Sequence, residues 1–542
     1  MSRGWLNPAG SALGAFALVV MPSTPLGAQV AWHTTTAGSI IFQLATAESL
    51  FVVSTDSALL GLDATSGTIR WQRPDLPNRP TLEDLAAGGQ VMGGRSQIAS
   101  AAIARLSLQL LDRPLGLLTR DSADLHAWLE VLDLGTGETR WTTRALPLRD
   151  TRGALQLPGR ELLLVYGVAS DRPGTVMTLL GVGLQDGEAR WRRDLPGPKR
   201  AAEFGMPSDG FEVKRGTIAL NQPPLVDSDT TAVLFIAESG PERIDLRTGQ
   251  PLWHAALEAR EPPAPIRGYA QMLLADGWIY IPHGRQLQAI SVADGHPRWA
   301  VPVKLPARAG QLALTPHGLL VRGEHNRDRS ERASDSPDLR LIDPETGADR
   351  WISQRLHQPS PFLLTGETVW LATDSRLLQF DLTDGKVRDV APLTFGGEDW
   401  PTTLERRGLM LFIGSRQSLR LVTWEGISQY EATYPAPSSS FLSKLAGLAL
   451  LGFRSVNNPE LGFWHRYHAT GLLDDVVLLV SNSEQDGRSG PGLLVVDKAT
   501  GKPVQQILVN QKSVVYQPEP VTGMVSVQFS DHELRGYPLI RP

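Results

Sequence analysis

One pattern recurs along most of this chain: an apolar run, an aspartate, a glycine four residues on, and a tryptophan four residues after that. The clearest copies are LLGLDATSGTIRW (Leu59 to Trp71), LEVLDLGTGETRW (Leu129 to Trp141) and LRLIDPETGADRW (Leu339 to Trp351). Looser copies are GVGLQDGEARW (Gly181 to Trp191), ERIDLRTGQPLW (Glu242 to Trp253) and LQAISVADGHPRW (Leu287 to Trp299). Three more keep a glycine turn without the tryptophan: LLQFDLTDGKVRD (Leu377 to Asp389), LRLVTWEGISQY (Leu419 to Tyr430) and LLVVDKATGKPVQ (Leu493 to Gln505). The glycines are Gly67, Gly137, Gly187, Gly249, Gly295, Gly347, Gly385, Gly426 and Gly501. Trp71, Trp141, Trp191, Trp253, Trp299 and Trp351 each follow the first six by four residues. A repeat of this extent means one supersecondary unit stacked many times over.

Each residue of the pattern has a local reason. The apolar run suits a strand buried between stacked sheets. Asp63, Asp133, Asp245, Asp343, Asp381 and Asp497 can accept bonds from the next backbone N–H groups and close an Asx-type turn, while the glycine supplies positive φ. The tryptophan on the returning strand fills the wedge between neighbouring sheets. A catalytic group is needed once and a turn brace in every unit, so periodicity assigns these aspartates to structure.

Further short strands precede each hairpin, among them 49–53, 161–166, 232–236, 277–281, 318–321, 368–371, 408–413 and 475–480. They bring each unit to about four strands at a spacing of ~40 to 50 residues, the signature of an all-β propeller of four-stranded antiparallel blades. Gln29 to His33 reads as an isolated fourth strand, and 524–529 with 533–539 as earlier strands of the same unit. Pairing them would close the ring and remove its edges.

The D-x-x-T-G-x-x-x-W copies resemble the repeats of the quinoprotein-like propellers, the superfamily that holds both pyrroloquinoline quinone (PQQ) dehydrogenases and the non-catalytic outer-membrane assembly propeller. The resemblance runs over roughly 31–542 and implies eight blades, whereas the motif count allows eight to ten. For the catalytic members it implies PQQ with calcium or a lanthanide, a tryptophan floor, a catalytic aspartate and usually a vicinal cysteine pair. This chain has no cysteine, and no run of carboxylates matches such a site, so no catalytic, cofactor-binding or metal-ligating residue can be carried over. The resemblance is closer to the non-catalytic members. It implies a protein-binding or scaffold module of the cell envelope with no cofactor, the alternative being a PQQ-dependent alcohol or sugar dehydrogenase that uses calcium.

Composition narrows the field further. A formal net charge of -5 and a pI near 6.2 leave no footprint for counterion release on a nucleic acid. Without cysteine, disulfides, thiolate metal sites and cysteine nucleophiles are excluded. Arg3, the apolar run 11–21 and the breaker PSTPLGA before Gln29 lay out a secretory signal peptide over 1–28. The mature chain, 29–542, is then a single extracytoplasmic propeller domain, periplasmic or secreted, without a transmembrane segment. His465 and His468 lack a third ligand, Asp335, Asp338 and Asp343 lack the geometry of a calcium hand, and the mixed-charge run 322–332 reads as a solvated loop or a partner contact.

Two intervals exceed one blade, and they mark insertions near 81–114 and 438–470. In the first, 95–111 fits a helical face or an alternating strand. In the second, Phe441, Leu445 and Leu448 form one helical stripe, and Phe463, Trp464 and Tyr467 are aromatics of the kind that anchor interfaces. Together these six are the candidate interface for a protein partner or envelope complex, the alternative being caps that pack on the ring.

Overall fold

A computed structural model describes residues 26–542 except 47–48, 77–114, 121–126, 158–159, 173–175, 196–223, 237–239, 256–271, 325–338, 396–398, 416, 435–470, 486, 510–513 and 520. Among the described residues, apart from one 3-10 turn, Thr143–Ala145, the regular elements are strands. They form ten sheets, numbered here in chain order. Sheets 1 to 9 occupy 40–73, 115–142, 148–194, 225–254, 273–304, 308–352, 363–392, 401–433 and 471–508. Sheet 10 is built from Val515–Glu519, Met524–Ser530, Glu533–Pro538 and, from the other end of the chain, Trp32–Thr35. Each of the nine glycine turns joins the last two strands, in chain order, of one of the first nine sheets, sheet 2 having three described strands in place of four.

Burial follows position within the sheet. The second and third strands are largely apolar and buried because a sheet packs on each side of them: Leu50–Thr55 and Leu339–Ile342 are buried throughout, Arg340 included. Most fourth strands are edges, and in the tryptophan-bearing ones a single side chain goes in. In Ile69–Arg73, Pro251–His254 and Asp349–Ile352 the tryptophan is the single buried residue.

Every neighbouring pair of sheets shares its own apolar core. Leu50, Val52, Leu59, Trp71, Leu132 and Leu134 join sheets 1 and 2, and the series continues pair by pair to sheets 9 and 10, joined by Leu478, Val495, Ile507, Val525 and Tyr537. Trp32, Phe51, Val53, Leu60, Met524 and Leu534 then join sheet 10 back to sheet 1. The N-terminal strand pairs antiparallel with Glu533–Pro538, setting Trp32 opposite Gly536 and His33 opposite Arg535. Just before it, Leu26–Gly27 runs parallel to Pro503–Leu508 as a fifth strand of sheet 9.

Antiparallel order sorts the connections onto two ends. Turns between first and second strands, and between third and fourth, lie at one end. Second-to-third turns and sheet-to-sheet crossings lie at the other. The first end carries the short glycine turns. At the second end the fourth strands stop at Asp194, His254 and Thr433 and the next first strands begin at Leu225, Leu273 and Gly471, whereas Leu115 begins at the glycine-turn end, opposite Leu132. Among the described residues no helix is long and apolar enough to cross a membrane.

Candidate functional site

The turn aspartates are consumed where they stand. Asp63 Oδ1 accepts from the backbone N–H groups of Thr65 and Ser66, both at 2.9 Å. Asp133 accepts from Gly135 and Thr136 at 2.8 and 3.1 Å, and Asp343 from Glu345 and Thr346 at the same distances. Asp245, Asp381 and Asp497 accept from Arg247, Thr383 and Ala499 at 2.8, 2.7 and 2.8 Å. The residue before the tryptophan adds a cation: Arg70, Arg140 and Arg350 bridge to Asp63, Asp133 and Asp343. The Arg140 and Arg350 bonds hold Asp133 and Asp343 below the usual carboxylate range. For Asp63, burial opposes ionisation, but bonds from Thr65, Arg70 and Ser66 outweigh it and hold the carboxyl low. Asp245, bonded chiefly by Arg247, is lowered to about 2.

The six turn tryptophans are buried at 3–9% exposure and do the same work at successive interfaces. Each indole N–H donates to the carbonyl just after the first turn residue of the next sheet. Trp71 donates to Leu134, Trp141 to Leu184, Trp191 to Leu246, Trp253 to Val292, Trp299 to Pro344 and Trp351 to Leu382, at 2.6–3.0 Å. Each ring lies flat on the next turn glycine. Gly137, Gly187, Gly249, Gly295, Gly347 and Gly385 all have φ near +70°, and a methyl group on any of them would collide with the indole or crowd it. Glycine is therefore needed twice over, for the backbone and for the ring.

Trp32 is a seventh member of this set. It donates to the Ala64 carbonyl at 2.9 Å and covers Gly67. Its indole carries the pattern across the junction between the two ends of the chain. Where tryptophan is missing, other groups stand in. Tyr430 covers Gly501 and donates its hydroxyl to the Lys498 carbonyl at 2.7 Å, and Gln505 donates to the Pro538 carbonyl at 2.9 Å. Between sheets 7 and 8 the wedge is filled from the opposite side by an edge-on pair, Trp370 and Trp424, 5.0 Å apart. The Gly426 turn is one residue shorter than its counterparts, its N–H bonding the Thr423 carbonyl three residues back.

Two further devices escaped the sequence reading. At the opposite end of the sheets, Thr55, Thr373 and Ser415 each exchange a reciprocal pair of bonds with the backbone three residues on. The second device is an arginine two residues after a tryptophan, which reaches a glutamate on the strand before the glycine turn of the next sheet. Arg73 meets Glu130 at 2.8 Å, and Arg193 meets Glu242. T-D-S-A and T-D-S-R were readable as turns. The struts join residues 57 and 49 apart, and no local spacing announces them.

Between sheets 4 and 5 the strut is absent. Ala255 occupies the place of the arginine, its N–H bonded to the Pro241 carbonyl in the register of a continuing fourth strand. Gln288 occupies the place of the glutamate, 6% exposed, with Nε2 on the Trp299 carbonyl at 3.1 Å. The fourth strand of sheet 5 also leaves the ladder. Pro297 makes only an isolated bridge to Ile290, and strand pairing resumes at Val303–Lys304. The result is a cavity of about 770 Å³ walled by Ile281, Ile290, Val301 and Pro302, with His254, His283, His296, Gln286, Gln288 and Lys304 among its polar groups. Among the described residues no cluster of three or more His, Asp or Glu is placed to hold a metal ion.

The candidate interface residues Phe441, Leu445, Leu448, Phe463, Trp464 and Tyr467, along with His465, His468, Asp335, Asp338 and the insertion 81–114, lie outside the described residues. The turn residues are brought into a repeated lattice and not into one site.

Stacked antiparallel sheets, docked tryptophans and a sheet shared by both chain ends define a β-propeller of PQQ-repeat type. A family model described as "Outer membrane protein assembly factor BamB" matches residues 126–390. Over those residues, just under half of its length, the chain is similar to the PQQ-repeat propellers. Similar solved structures include BamB from Moraxella catarrhalis, at 12% identity and a TM-score of 0.36, covering 71% of this chain and 92% of that one. The quinohemoprotein alcohol dehydrogenase ADHIIG from Pseudomonas putida HK5 has 11% identity and a TM-score of 0.34, covering 79% and 82%. The computationally designed Ika8 protein has 9% identity and a TM-score of 0.33, covering 85% and 99%. No curated protein matches the sequence.

Proposed function

We propose that this chain is a non-catalytic extracytoplasmic propeller that serves as a protein-binding or scaffold module of the cell envelope. The observation that carries this reading is the match of the outer-membrane assembly family model across residues 126–390. Two features support it. The recurring carboxylates are spent on turns. The short glycine turns also gather at one end of the described sheets, and loops on a rigid scaffold are where binding is usually carried. Residues 1–28 act as the secretion leader in this reading, and the stretch 438–470, with Phe441, Leu445, Leu448, Phe463, Trp464 and Tyr467, supplies the contact surface.

The test is chemical crosslinking in the native envelope followed by purification of the tagged protein, with the intact chain and with 440–469 replaced by a short Gly-Ser bridge. The intact chain is expected to bring down a defined envelope protein, and the shortened chain to fold but lose it. Quinone absorbance and dye-linked oxidation of an alcohol or sugar after addition of PQQ and calcium would replace this proposal with an oxidoreductase.

A further inference from the structure

The cavity between sheets 4 and 5 lies where a strut found at two other interfaces is missing. At two other interfaces the same pair of positions holds an arginine and a glutamate in contact, Arg73 with Glu130 and Arg193 with Glu242. Here Ala255 gives up the volume of a guanidinium, and Gln288 keeps an acceptor without a charge. The Gln288 amide is held by its Nε2 bond to the Trp299 carbonyl, so its Oε1 is fixed in orientation. That oxygen is buried and accepts no hydrogen bond from the described residues. A buried acceptor without a donor costs free energy, so the site gains from a ligand that supplies an N–H or O–H.

The other lining groups select the rest of the ligand. Asp294 is committed to its own turn through Ser291 and the His296 N–H, so its charge is already met. Lys304 makes no ion pair among the described residues, and it shares the cavity with three imidazoles. The aliphatic wall of Ile281, Ile290, Val301 and Pro302 accommodates a small apolar group. At about 770 Å³ the space is of the size that holds a small ligand.

We propose that this cavity binds an acylamino-carboxylate, an amide N–H beside a free carboxylate. The N–H donates to Gln288 Oε1 and the carboxylate faces Lys304 and the histidines. Two sources carry this chemistry: the free carboxyl end of a polypeptide and a free N-acyl amino acid.

The test is isothermal titration of the full chain with N-acetylalanine, its primary amide, and the acetylated tetra-alanine free acid. Both acids are expected to bind and the amide to bind much more weakly. Tighter binding of the tetrapeptide assigns the site to polypeptide ends, and tighter binding of N-acetylalanine assigns it to small molecules. Gln288→Met keeps the volume and removes the acceptor, so it should weaken the acid about tenfold, the worth of one buried hydrogen bond. The double change Ala255→Arg with Gln288→Glu rebuilds the strut of the other interfaces and should abolish binding while the melting temperature holds or rises. Failure of both acids to bind at roughly 20 mM, a concentration at which even millimolar affinity registers, equal binding of acid and amide, or binding that survives the rebuilt strut overturns the proposal.

Discussion

Replacing Trp191 tests the docking lattice where its parts can be separated. The ring is 8% exposed, donates to the Leu246 carbonyl at 2.7 Å and lies on Gly249. Trp191→Ala removes most of a buried indole and leaves a cavity, a loss of about 3–5 kcal/mol. Trp191→Phe keeps an aromatic in the wedge but strands the carbonyl, so it should cost less, about 1–3 kcal/mol. The glycine supplies the second axis. Gly249→Ala must hold a φ of +70° and push its methyl into the ring. The backbone part costs roughly 1–2 kcal/mol, and the collision adds to it only while the indole is present. In the Trp191→Ala background, Gly249→Ala should therefore lose its steric part, and the double-mutant cycle should show a coupling of about 1 kcal/mol or more. Urea unfolding followed by circular dichroism reads all four chains, provided that the m-value is unchanged. Additive costs, or a Trp191→Ala cost below about 1 kcal/mol, would refute the account of why glycine and tryptophan recur together.

Three other outcomes follow from the same structure. Asp343→Ala should lower stability by about 1 kcal/mol by urea unfolding and leave crosslinking to an envelope partner unchanged, because the residue serves only its turn. Asp63, Asp133, Asp245 and Asp343 have folded-state values depressed below the unfolded range, so their contribution is complete above about pH 4 and is lost as pH falls through the folded values. The urea midpoint should therefore drop between about pH 4 and pH 2, and less so in the Asp245→Asn chain. Lys498, 2% exposed and bonded to the partly exposed Glu405 at 2.8 Å, should cost about 1–3 kcal/mol when changed to Ala. Lys498→Met combined with Glu405→Gln should restore much of the loss, since Met refills the buried stem and no carboxylate is left without its partner.

The sequence made the repeat legible because its three marker residues act locally. An aspartate braces the turn within three residues of itself, and the glycine bends it, so the spacing is written into adjacent positions. The second strands were readable for a related reason: stretches such as 232–236 and 368–371 are apolar on both faces, and Thr231–Ile236 and Thr368–Ala372 are the strands observed. What could not be read depends on partners far apart in the chain. Trp32 has no turn before it and docks on a glycine of the next sheet, while its own sheet is completed from residues 515–538. The exchange of Arg and Glu for Ala255 and Gln288 becomes meaningful only once the sheets are laid side by side. Trp424 was visible in its motif, but its role in replacing a missing tryptophan depends on Trp370 in the preceding sheet.

The junction of the two chain ends offers the most direct test of the propeller. The chain contains no cysteine, so His33→Cys with Arg535→Cys introduces only one pair, at positions directly opposite each other across the shared sheet. Such neighbours meet the geometry of a disulfide. Mild oxidation of the native protein should give one intramolecular bond linking 33 to 535, seen as a mobility shift on a non-reducing gel that dithiothreitol reverses and that is absent when oxidation is done in urea. Free thiols after oxidation of the native protein, or bonds formed only between separate chains, would contradict the shared sheet and the cyclic packing built upon it.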